Sequence, residues 1–134
     1  MLAATFQKGV AMRGMIKAAA LALVLAPVAA EAMTVNEFLA KTSALQAKGF
    51  AAMVSPDLTL LRDEIKTAAT AYRSELDAAQ AAHRKPRSCP PPKGQAKVDS
   101  DTLMAAFKAI PPARRTMSVK AAFYGFMDKS YPCR

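Results

Sequence analysis

The chain reads as all-α: a small bundle of about four helices, held by one disulfide and crossed by a proline-rich connector. Three observations predict this class. Apolar residues recur at three- and four-residue steps in four separate segments. Each segment opens on a residue suited to cap a helix. No stretch alternates apolar and polar residues as a half-buried strand would.

The first helix starts at Thr34, with Glu37 three residues on, the spacing of a capping box. Val35, Phe38, Leu39, Thr42, Leu45, Phe50 and Met53 then form one apolar stripe predicted to face inward, with Gly49 weakening the last turn. Ser55-Pro56-Asp57 stops this helix and starts the next. Ser55 is a cap, Pro56 suits the first helical position, and Asp57 faces the positive helix end. The second helix is predicted over Pro56 to Ala82. Leu58, Leu61, Ile65, Ala68, Tyr72, Leu76 and Ala79 make its seam. So long a helix either bends near Thr67–Thr70 or projects one end toward a partner.

Arg84 to Lys97 is the connector. Pro86, Pro90, Pro91 and Pro92 exclude helix there and favour extended geometry. Asp99, Ser100 and Asp101 supply caps for a third helix carrying Leu103, Met104, Phe107 and Ile110, which Pro111-Pro112 ends. Ser118 caps a fourth, with Val119, Ala122, Phe123, Phe126 and Met127 inward and Tyr124 turned toward solvent.

The segment before these helices reads as a leader. Arg13 and Lys17 flank the start of an unbroken apolar run from Ala18 to Ala30, and Ala30-Glu31-Ala32 has the small-x-small pattern of a signal-peptidase site. Residues 1–32 are expected to be a signal peptide cut between Ala32 and Met33, leaving residues 33–134 as one periplasmic domain. The run is 13 residues long and contains Pro27, too short and too broken for a transmembrane anchor. Met12 and Met15 offer alternative starts to Met1.

Two cysteines, Cys89 and Cys133, fall in the mature part, and an even count in an exported domain reads as a disulfide. Their spacing is wrong for a Cys-x-x-Cys redox centre. The leader holds Lys8, Arg13, Lys17 and Glu31; without them 16 basic and 9 acidic residues remain, a net charge of +7. That surplus favours anionic neighbours such as a membrane surface, wall polymers or an acidic protein. Location, rather than charge, argues against nucleic acid as a partner.

The residue types give no catalytic centre, so no enzyme, cofactor or metal is expected. His83, the one histidine, stands at the end of the long helix, where a cation suits the negative terminus. Asp63 and Glu64 point to different sides of a helix, as do Glu75 and Asp77, so neither makes a facing carboxylate pair. Their expected partners are local: Lys66 for Asp63 and Arg73 for Asp77. Phosphate loops and nucleophile elbows are absent. Two features suit binding instead. Arg84, Lys85, Arg87 and Lys93 surround the proline run that Cys89 would clamp, and a clamped loop loses little entropy on docking. Arg114-Arg115 follows Pro111-Pro112 and could grip carboxylates.

Ser88-Cys89-Pro90-Pro91 opening a short helix, Ile110-Pro111-Pro112 closing it, and a last helix with Ala121-Ala122-Phe123 followed by Tyr131-Pro132-Cys133 resemble the Rap/Tai-type immunity proteins. The resemblance covers about residues 87–134. These small exported helical proteins protect bacteria from peptidoglycan amidases delivered by type VI secretion. The resemblance implies a Cys89–Cys133 bridge and a partner that is a cell-wall amidase or other envelope protein. It also implies a homodimer, and a mechanism in which a rigid segment plugs the amidase cleft. The connector and the Arg114-Arg115 turn are the segments expected to serve as plug. The competing expectation is a periplasmic structural or stress protein bound to anionic envelope surfaces through its basic face.

Overall fold

A computed structural model describes residues 32–134; the leader up to Glu31 lies outside the described residues. Four α-helices follow in order: α1 (Val35–Lys48), α2 (Pro56–Ala81), α3 (Ser100–Ala109) and α4 (Val119–Ser130). There is no strand among the described residues, only an isolated antiparallel bridge between Thr34 and Ser118.

Local chemistry sets the helix starts. The Thr34 hydroxyl accepts the Glu37 N–H (3.2 Å), and the Glu37 carboxylate accepts the Thr34 N–H (2.8 Å), a complete capping box. Asp99 accepts the Thr102 N–H (2.8 Å), and Ser118 accepts the Ala121 N–H (3.1 Å). Ser55 occupies the cap position of α2, but its side chain makes no capping bond: it is buried, and its Oγ has no partner among the described residues. Pro56 at the first position takes over, because it needs no acceptor for a missing N–H.

α2 runs unbroken through Thr67–Thr70 for 26 residues, about 39 Å at 1.5 Å per residue. Its far end does not project. His83 adopts a left-handed φ of 50°, its N–H reaches the Gln80 carbonyl (3.0 Å), and the Arg84 N–H reaches that of Ala79 (2.8 Å). This closure satisfies the last carbonyls and turns the chain back along the helix. His83 thus ends α2 through its backbone.

α2 packs on α1 and α4, and α3 packs on the same two helices. The core lies where they converge. Phe38 of α1 meets Phe107 of α3 edge-on with centroids 5.5 Å apart. Tyr72 of α2 meets Phe123 (6.1 Å) and Tyr124 (5.0 Å) of α4 in the same manner. The strand-like start of the domain is tied in as well: the Met33 carbonyl accepts the Val119 N–H (2.8 Å), and the Val35 N–H donates to Met117 (3.0 Å).

Two inward assignments and one outward assignment are corrected. Phe50 and Met53 are 98% and 72% exposed, because Gly49 at φ 56° ends α1 and the chain continues as a 3-10 turn, Gly49–Val54. That turn has three residues per revolution, so the stripe no longer follows the core-facing side. Tyr124 is buried at 6% exposure, since α4 is covered by α2 on that side as well. Ile65 and Phe126 are only half-buried.

Candidate functional site

Three surfaces stand out: the connector, the turn after α3, and the 3-10 tip between α1 and α2. The connector is extended and is fastened at several points. Cys89 and Cys133 form a disulfide, and the Cys89 N–H donates to the Tyr131 carbonyl (2.8 Å). The Arg73 guanidinium, expected to pair with Asp77, instead donates to the Pro91 carbonyl (2.8 Å). The segment Ser88–Pro91 does not open α3, which starts at Ser100.

Arg87 is the centre of a buried-to-surface polar network. Its guanidinium forks onto the Asp128 carboxylate (2.8–3.1 Å), lies over the Tyr124 ring at 4.6 Å, and reaches Glu75 at 3.5 Å. Tyr72 Oη hydrogen-bonds to Ser88 Oγ and donates to Asp128 (2.9 Å), while Tyr124 Oη donates to Glu75 (2.9 Å). Burial alone would push the Asp128 carboxyl up. The hydrogen bonds from Arg87 and Tyr72, with the Arg87 charge, outweigh it and hold Asp128 below its ordinary value. Burial first, then the bond to the Glu75 carboxylate, pushes the Tyr124 phenol up to about 12. Arg87 was expected to meet a partner; it joins the connector to α2 and α4 instead. The sequence does not link Glu75, Asp128 and the Tyr72 hydroxyl to this network, because their separations from Arg87 or Ser88 of 12, 41 and 16 residues leave no local pattern.

A pH dependence follows. A carboxyl held lower in the folded state than its unfolded value of about 3.9 stabilises the fold above that pH and loses the contribution as pH falls through the folded value. Thermal melts from about pH 6 down to pH 2 should therefore fall more steeply below about pH 4 for the natural protein than for Asp128→Asn. Parallel curves would refute it.

The turn after α3 is likewise occupied. Arg115 donates from Nε to the Ile110 carbonyl (2.8 Å) and from its terminal nitrogen to that of Lys108 (2.8 Å), satisfying the end of α3. Only Arg114 stays exposed. Of the expected contact residues, Arg84, Lys85 and Arg114 therefore remain free of side-chain bonds among the described residues, and Arg87 and Arg115 do not. Asp63 and Lys66 form no ion pair.

Among the described residues the tip carries the most exposed large apolar side chains: Phe50 (98%), Val54 (88%) and Met53 (72%). It joins two packed helices and is braced at its base. Lys41 on α1 pairs with Asp57 on α2 at 2.8 Å, and the Ser55 N–H closes on the Ala52 carbonyl at 3.0 Å. The Lys41 hydrogen bond and charge hold the Asp57 carboxyl below its usual range.

No protein-family model, curated protein or solved structure matches the chain. No helix among the described residues is long and apolar enough to cross a membrane.

Proposed function

We propose that the protein is an exported, non-enzymatic binding protein that works by occlusion, and that its plug is the apolar tip. The observation that carries this is Phe50, 98% exposed, set beside Met53 and Val54 on a braced helical hairpin. Leaving a Phe or Val in water forgoes about 1.5–3 kcal/mol each relative to burial, a gain available to any partner whose cleft receives them. Aromatic anchors of this kind dominate binding energy at interfaces. The partner class is the one the resemblance implies, a cell-wall amidase. Export is supported by the Cys89–Cys133 bridge, which persists in oxidising compartments, and by Met33, the first residue after the expected cut, being docked on α4.

Tagged mature protein carrying a photo-crosslinker at position 54, beside an intact Phe50, should capture a wall hydrolase from the periplasm of its native host. Phe50→Asp should lower recovery of that hydrolase at least tenfold with an unchanged Tm, because the side chain touches almost nothing in the free protein. Equal recovery by the variant, or crosslinks that include no wall hydrolase, would overturn the assignment.

The second reading, association with anionic envelope surfaces, is favoured by Arg62, Lys66, Arg84 and Lys93, which pair with no carboxylate among the described residues. Co-sedimentation with anionic vesicles that falls as salt rises would support it. Absence of binding at low salt would dismiss it.

A further inference from the structure

α2 and α3 have little backbone contact with each other; they face one another across a groove of about 1540 Å³ that the connector crosses at one end. Its floor is apolar. Leu61, Ile65, Leu103, Met104, Phe123 and Met127 line it, and Ile65 and Met104 are only half-buried. Its rim is cationic, with Arg62, Lys66, Arg73, Arg84 and Lys93 against two carboxylates, Asp77 and Asp99. Asp99 is already committed to the Thr102 N–H as the cap of α3. The tip residues Phe50, Met53 and Val54 are not among the lining, so groove and tip are separate surfaces.

From these observations we infer that the groove is a docking site for an acidic amphipathic helix of a partner protein. Three features select that occupant. First, the space lies between two helices that share neighbours but scarcely meet, which leaves room for one more helix against the bundle. An amphipathic segment laying anchors at i, i+3, i+4 and i+7 into such a cleft is an established mode of recognition. Second, the cations are spread along the groove. Arg62, Lys66 and Arg73 follow one side of α2 and Arg84 lies just past its end, a distance of about 30 Å at 1.5 Å per residue. A single-headed fatty acid would place its charge at one end only. Arg73 already donates to the Pro91 carbonyl, and a helix with Glu or Asp along one flank meets the others. Third, the floor includes Met104 and Met127, unbranched side chains that re-pack around an incoming apolar face. A second copy of this chain is a poorer occupant, because its own net positive charge opposes the rim.

The test uses the oxidised mature protein and a synthetic helical peptide of about 18 residues, with Leu on one face and Glu on its flanks. Methyl NMR should show shifts at Ile65, Met104 and Met127 on titration, with micromolar affinity that weakens as salt rises. The same peptide with Lys in place of Glu should bind at least tenfold more weakly. The double variant Arg62→Glu/Lys66→Glu changes two exposed, unpaired side chains, so the fold is retained and the affinity for the Glu peptide should drop at least tenfold. No methyl shift at millimolar peptide would overturn the assignment, as would equal binding of the Lys peptide. Shifts with oleate in place of the peptide would make this a single-chain lipid site instead. Shifts on raising protein concentration alone would assign the groove to a second copy.

Discussion

Replacing Cys89 by Ser is expected to lower the Tm by roughly 15–30 °C. The bridge joins residues 44 apart in sequence. Closing a loop of that length in the unfolded chain corresponds to about 4 kcal/mol, and in a domain of about 100 residues each kcal/mol moves the midpoint by roughly 4–8 °C. The folded state itself changes little on losing the bond. The Cys89 N–H stays on the Tyr131 carbonyl, Arg87 stays on Asp128, and Arg73 stays on Pro91. The cost therefore falls on the freedom gained by the unfolded chain, and helical circular dichroism below the transition should be preserved. Melting the oxidised protein, the reduced protein and Cys89→Ser side by side checks this. The last two should coincide with each other and fall well below the first. Three coincident melts would mean that the link contributes nothing.

What could be read from the sequence was what short-range chemistry determines. The caps at Thr34, Asp99 and Ser118 sit within three residues of their partners, and all three form as expected. The cysteine pair needed only a count. The stripe of α1 was legible as far as Leu45 and failed at Phe50, because the positive φ of Gly49 changes the helical period and no apolar pattern announces such a change. That failure concealed the tip, the surface on which the proposed function rests. Tyr124 was misjudged for another reason. A residue next to a core position faces outward only if one side of its helix is covered, and α4 is covered by α2 and again by the Arg87 side chain. The roles of Arg87 and Arg115 were out of reach in a different sense. A basic residue in a loop advertises its charge but not its partner, and Asp128 stands 41 residues from Arg87. The groove is less legible still, since it depends on which two of the helices lie apart.

Tyr72→Ala is expected to cost about 3–5 kcal/mol, and Tyr72→Phe about 1–3 kcal/mol, and the difference between them separates two functions of one side chain. The ring is 1% exposed and sits edge-on to both Phe123 and Tyr124, so its removal leaves a cavity between α2 and α4. The hydroxyl alone joins Ser88 of the connector to Asp128 of α4. Ser88 is as deeply buried as the tyrosine, so no water replaces the lost partner, and its hydroxyl is left with an unmet hydrogen bond. Ser88→Ala should then cost less in the Tyr72→Phe background than in the natural protein, because the orphaned group is gone. Denaturant unfolding of the two single variants and the double variant measures that coupling directly. Strict additivity would mean that the disulfide, the Arg87 fork and the Cys89 and Arg73 hydrogen bonds hold the connector, with the buried hydroxyl pair contributing nothing.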